Sequence, residues 1–279
     1  MYEVVVLFLI ALVWIIFASV QDLRTREVYN WLSFSLAIFA LGFRFFYSLF
    51  SDSGFSFFYQ GLIGFGIFFI VGNLLYYSRM FAGGDAKLMI SLGSILPFSY
   101  NLFTNLKIFI LFIFLFFLSG AVYGWAVTLL LSFKNFEKFK KGFSERLKQY
   151  KKFIIMIMIL GIVIMALGIF ESLLLGIGIL IFLFPYFYIY AKTVDSVCMI
   201  KKVKTSKISE GEWLYEPIKI GGRIIKPSWA GLSKEDITLI RKRYKEIKIK
   251  QGIAFVPAFL ISFLVLGYLW LSGNWNLPF

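Results

Sequence analysis

Two aspartates stand at the edges of long apolar runs: Asp22 after the segment Val4 to Val20, and Asp85 in Phe81-Ala82-Gly83-Gly84-Asp85-Ala86-Lys87. A carboxylate at a membrane boundary is costly, so each is a candidate functional group, and two on one face of a bilayer could share a proton and activate water. The chain has no histidine and a single cysteine, Cys198. An HExxH metal site and a Ser-His nucleophile are therefore impossible, and a zinc site of paired CxxC motifs has no ligands. Among hydrolytic mechanisms a carboxylate pair and a Ser-Lys arrangement remain, and only the aspartates sit on matching edges. No metal and no cofactor is expected. Each aspartate also has a plainer reading: Asp85 as a helix N-cap behind a glycine turn, Asp22 as part of a solvated loop. Gly83 and Gly84 remove side chains where the chain enters a helix, which permits unusual backbone angles and close approach of a substrate strand.

The elements that must position these groups are membrane helices. Sixty per cent of the 279 residues are hydrophobic and 20% aromatic, and apolar runs of eighteen residues or more need a bilayer. The expected fold is an all-α polytopic membrane protein of about eight transmembrane helices. Spans are predicted near 4–20, 31–50, 57–77, 86–98, 108–131, 153–170, 173–191 and 253–271. The first has no basic cluster before it and no cleavage site after it, so it reads as a retained span. The loops on one side carry 27 of the 29 Lys and Arg residues. That side is cytoplasmic by the positive-inside rule, with both termini outside and Asp22 and Asp85 together on the cytoplasmic face. Orientation alone accounts for the net charge of +14, so no nucleic-acid partner is required. The fourth span is short: about fourteen residues reach about 20 Å of a roughly 30 Å core. Asp85 would then lie below the surface, in a recess that admits water.

The chain divides, on this reading, into a catalytic membrane core with the first five spans (1–132), a basic amphipathic cytoplasmic segment (133–152), two further spans (153–191), a small α+β cytoplasmic insert (192–252), and the last span with its tail (253–279). Aromatic or leucine side chains recur at 133, 136, 139, 143, 147, 150 and 153 with lysines between, the pattern of a helix lying on an anionic leaflet. Within the insert, Gly221-Gly222 between Ile-rich stretches predicts a β-hairpin, and Ser233 predicts the cap of a helix running to about Lys248. Glu210, Glu212 and Glu216 form an acidic cluster in a basic loop, open to reading as ordinary surface charge or as a contact for a basic peptide.

Asp-x-Arg-x-Arg-x-Val-x-Asn from Asp22 to Asn30, and Gly-Gly-Asp-Ala-Lys from Gly83 to Lys87, resemble the motifs of type IV prepilin peptidases, the archaeal preflagellin and prepilin branch above all. Gly211-Glu212-Trp213-Leu214, Pro227-Ser228-Trp229-Ala230-Gly231-Leu232-Ser233-Lys234-Glu235 and Phe255-Val256-Pro257-Ala258-Phe259 resemble that branch as well. The resemblance implies a GxGD-type intramembrane aspartyl protease with Asp22 and Asp85 as the catalytic pair. It implies substrates that are pilin or archaellin precursors, whose short basic leaders are cut ahead of a hydrophobic helix, and surroundings of membrane lipid. Ala82 stands where the pattern has its first glycine, and Tyr29 where many relatives have proline. Bacterial relatives also methylate the trimmed N-terminus with a paired-CxxC domain, which one cysteine cannot build, so methyltransferase activity is not expected. Asp85 at the positive end of the fourth span would be the initial base. Two rivals remain at this level. Pro257-Ala258-Phe259 is similar to a signature of presenilin and signal-peptide-peptidase proteases, and two membrane carboxylates would also suit a proton- or cation-coupled transporter.

Overall fold

A computed structural model of the chain describes residues 2–51, 54–229 and 231–273. Ala230 and the tail after Gly273 lie outside the described residues. In chain order come α1 (Tyr2–Thr25), α2 (Asn30–Phe50), α3 (Ser56–Tyr77), α4 (Gly83–Gly93), α5 (Leu102–Lys134), α6 (Phe136–Gln149), α7 (Lys151–Leu167) and α8 (Ser172–Thr193). A π-helical turn (Val194–Cys198) leads to β1 (Ile200–Lys204), β2 (Trp213–Leu214), β3 (Ile218–Ile220), β4 (Arg223–Ile225), α9 (Lys234–Arg243), β5 (Glu246–Lys250) and α10 (Val256–Leu271).

The mostly helical architecture with a small sheet region is the one expected. Among the described residues five helices are long and apolar enough to cross a membrane, or six if α6 and α7, bent by 75°, form one span. Of the other predicted spans, α4 and α10 have 11 and 16 residues, which at 1.5 Å per residue reach about 16 and 24 Å. Hydropathy reads residues 86–98 as one run, yet the helix stops at Gly93 and the chain continues non-helically, buried, through Pro97. Apolar composition does not distinguish a helix from enclosed irregular backbone.

The chain forms two compact units, Met1–Trp125 with Ile253–Phe279, and Ala126–Gly252. In the first unit, α1 buries Val4, Leu7, Ala11, Ile15, Ala18 and Asp22 on one stripe of helical spacing. Glycines let α3 meet α4: a Cβ at Gly72 would lie 2.7 Å from Ile90 Cγ1, and one at Gly93 2.6 Å from the Gly64 carbonyl. Trp14 Nε1 donates to Ser35 Oγ at 3.0 Å between α1 and α2, and Ser91 Oγ donates to the Ser33 carbonyl at 2.7 Å between α4 and α2.

The irregular end of α4 would leave carbonyls without partners in an apolar interior, and Arg44 of α2 supplies them. Its side chain is 0% exposed. Nε donates to Ser94 O (2.8 Å), Nη1 to Phe57 O (3.1 Å), and Nη2 to both Ile95 O (3.1 Å) and Pro97 O (2.7 Å). The guanidinium lies 4.2 Å from the Phe57 ring centroid, and Gly61 leaves room for its methylenes. The planar fork of arginine suits this task, because its donors diverge toward several acceptors at once.

In the second unit α7 and α8 pack through glycines: a Cβ at Gly161 would lie 2.8 Å from the Phe182 backbone nitrogen, and one at Gly178 2.6 Å from that of Met165. The predicted amphipathic helix exists as α6. Its Phe139 ring meets Tyr190, Gly142 lies against Val197 and Thr193, and Arg146 donates to Ser196 Oγ. The Phe139–Gly142–Arg146 side of α6 is thus occupied within its own unit, while Lys138, Lys140, Lys141 and Lys148 are exposed. The insert has an antiparallel sheet of order β1-β5-β2 and a β3-β4 hairpin, around a cluster that includes Ile218, Ile225, Ile237, Ile240, Ile247 and Ile249. The hairpin turns at Gly221 and Gly222, both with positive φ (52° and 88°), as a two-residue primed turn requires. Ser233 caps α9 in a reciprocal capping box with Asp236. The expectation of helix to Lys248 is corrected: α9 ends at Arg243, and Glu246–Lys250 pairs with β1. The alternation Ile247, Ile249 against Lys248, Lys250 is a strand period, and it overrides the helical spacing of the residues before it.

Candidate active site

Asp22 and Asp85 both belong to the first unit. Asp22 is buried, the last member of the α1 stripe, and its Oδ2 accepts the Val256 N–H from the start of α10 at 2.9 Å. Asp85 is half-buried in the first turn of α4, where it interacts with the Ala82 amide and is within electrostatic reach of Asp22. Two carboxylates from motifs more than sixty positions apart thus face one another's fields. Arg26 and Tyr123 also lie within electrostatic reach of Asp22.

The two motifs touch beyond their aspartates. Lys87 Nζ donates to Asn30 Oδ1 at 2.7 Å, linking the last residues of both strings. A Cβ at Gly84 would come within 3.2 Å of Val28 Cβ, so this glycine is where the loop after α1 rests on α4. The two glycines therefore differ from the expectation of special backbone angles. Neither has positive φ, since both are already helical; Gly84 serves close approach, and Gly83 has room for a methyl group, with Tyr76 Cε2 at 3.8 Å. The departures from the family pattern are explained in the same way. Ala82, the N-cap of α4, has φ −72° and ψ 160°, open to any residue, and Tyr29, the N-cap of α2, has φ −67°, the value a proline imposes.

Arginines close the helices on both sides of the site. Arg26 and Arg79 have φ of 62° and 64°, unusual for side-chain-bearing residues. Each follows a helix C-terminus: Arg26 N–H donates to Asp22 O (2.8 Å) and Arg79 N–H to Tyr76 O (3.0 Å).

Sequence reasoning missed the Val256 amide. The signal was Pro257 at a helix start with no Ser, Thr, Asp or Asn before it; such a helix takes its capping acceptor from elsewhere. Glu210 and Glu216 are engaged within the insert, with Lys234 (3.7 Å) and Lys248 (3.0 Å). Among the described residues no cluster of three or more acidic, histidine or cysteine side chains could hold a metal ion.

Preflagellin peptidases from three archaea are similar: that of Methanococcus maripaludis is 34% identical over 100 residues (36% of this chain, 43% of the relative). That of Methanococcus voltae is 26% identical over 148 residues (50% and 62%), and that of Methanocaldococcus jannaschii 30% over 95 residues (34% and 39%). The chain therefore spans less than two thirds of the length of each of these relatives. No solved structure matches it. Residues 9–131, which include both aspartates, match the type IV leader peptidase family, in keeping with the resemblance read from the two motifs.

Proposed function

We propose that the chain is a membrane aspartyl endopeptidase that removes the short basic leader from archaellin or type IV pilin-like precursors at the cytoplasmic membrane face. The observation that supports this reading is that Asp22 and Asp85 lie within electrostatic reach of one another in the stretch that matches the leader peptidase family. Two close carboxylates hold one proton between them more cheaply than they hold none. The anionic partner takes a proton from water as the oxygen attacks the scissile carbonyl carbon. The protonated partner gives its proton to the carbonyl oxygen, and the departing amine is protonated as the tetrahedral intermediate collapses.

Asp85 lies at the positive N-terminal end of α4 and Asp22 near the negative C-terminal end of α1, which favours Asp85 as the first base. The Val256 amide on Asp22 works against that preference, and two coupled carboxylates titrate as one unit. A site at the membrane edge suits a bond between a basic leader and a hydrophobic helix, because that bond must be presented where helix gives way to water. The test is incubation of membranes containing the protein with a precursor of this type. Release of the leader by the wild type and by neither Asp22→Ala nor Asp85→Ala is expected; cleavage that survives both changes would sink the proposal.

A further inference from the structure

We infer that the N-terminal turn of α10, Phe255 to Phe259, is a positioning element that holds the two aspartates in register; the inference rests on the catalytic reading of Asp22 and Asp85. The turn touches both halves of the site by independent contacts. On one side, the Val256 N–H is bonded to Asp22 Oδ2 in a buried position. Helix α10 has no side-chain N-cap of its own, with Phe255 in the cap position and Pro257 next to the start. Pro257 has no N–H to offer, so the turn directs few donors, and one of them is fixed on Asp22. On the other side, Phe259 packs one turn along the helix against Phe81 (centroids 6.1 Å apart) and Phe116 (4.4 Å), and Phe81 itself packs on Phe116 (5.5 Å). Phe81 is buried and opens the run that reaches Asp85 four residues later. Phe255 also packs on Phe116 (5.7 Å), in space that Gly120 leaves free: a Cβ there would lie 2.7 Å from Phe255 Cζ.

Asp22 is thus tied by a hydrogen bond, and the entry to α4 by ring contacts, to a single rigid turn. General acid-base work by two carboxylates demands placement within about half an ångström, and such placement comes from packed supporting groups. This support lies more than a hundred positions beyond the stretch that matches the leader peptidase family. Val256, which touches Asp22, and Phe259, which touches Phe81, are accordingly the positioning residues.

Replacing the Val256 amide by an ester, through incorporation of the α-hydroxy analogue of valine into the full-length reconstituted protein, deletes the N–H and keeps the side chain. With a leader-bearing precursor as substrate, kcat should fall roughly 10–100-fold, with KM unchanged, a lowered thermal midpoint because Asp22 loses a buried donor, and a shifted pH–rate profile, which a purely structural role would leave in place. A second variant, Gly120→Ala, should displace the Phe255 ring and lower kcat in the same way, and adding Phe255→Leu should restore it by vacating the contested space. Wild-type kcat and pH profile in the ester protein, or a Gly120→Ala loss that Phe255→Leu does not relieve, would overturn the inference. Cleavage retained by Asp22→Asn and Asp85→Asn would instead overturn the catalytic reading beneath it.

Discussion

Replacing Arg44 by methionine should destabilise the membrane core by about 2–4 kcal/mol, and the reasoning can be followed atom by atom. The guanidinium serves four backbone carbonyls, those of Phe57, Ser94, Ile95 and Pro97. A buried acceptor left without a donor costs roughly 1–3 kcal/mol, so even the low end gives about 3 kcal/mol for the three that lie outside a helix. Against this stands the charge itself: burying a cation costs free energy, and an apolar residue of similar volume recovers part of that cost. The carbonyl side should win because three of the acceptors, those of Ser94, Ile95 and Pro97, belong to irregular backbone that cannot pair with itself once the donor is gone. Arg44→Lys should fall between the two, since one ammonium has three donors and reaches fewer of these diverging acceptors. Gly61→Ala, which places a methyl group against the Arg44 methylenes, should also destabilise. The assay is denaturant unfolding in detergent, followed by tryptophan fluorescence of Trp14 and Trp270, which pack on the core. An Arg44→Met protein within about 0.5 kcal/mol of wild type, below the ordinary cost of a single orphaned carbonyl, would refute the claim that Arg44 secures the end of α4.

Other consequences are more local. Gly84→Val should abolish most precursor cleavage, because even the first carbon of a side chain meets Val28 at 3.2 Å and valine adds two more. Gly83→Ala, with open space at its Cβ, should retain most of it; equal losses in the two variants would contradict the assigned roles. Gly178→Ala should destabilise the second unit by about 1–3 kcal/mol, since its methyl group meets the Met165 backbone, and site-resolved hydrogen exchange on α7 and α8 would report it. Ser233→Ala should cost about 1 kcal/mol in the insert by removing the capping box, read as faster exchange at the start of α9 with precursor cleavage unaltered.

Much of the site was legible before any coordinates because its chemistry is rare in its setting. A charged residue among apolar spans stands out, the absence of histidine narrows the possible reactions, and the brevity of the fourth span follows from counting the residues of its apolar run, 86–98. The hairpin at Gly221-Gly222 was legible for a related reason, since its turn demands glycine locally. What stayed hidden depends on partners distant in the chain. The role of Arg44 is not legible in the sequence, because nothing near it names the carbonyls it serves fifty residues later. The bond from Val256 to Asp22 joins positions 234 apart. Glu246–Lys250 was read as the continuation of a helix because the apolar positions of α9 run on into it; pairing with β1 decides otherwise. Gly83 and Gly84 looked alike in sequence, and only the proximity of Val28 separates them.

The most direct test of the account is single-turnover cleavage of an archaellin-type precursor by the purified protein in lipid, with the product N-terminus identified by mass spectrometry. Wild type should release the leader at the boundary between its basic residues and the hydrophobic helix. Asp22→Asn and Asp85→Asn, near-isosteric changes that preserve shape, should each give no product above background, and the double variant should be no worse than either alone. Substantial product from either single variant would contradict a mechanism in which both carboxylates act on one water.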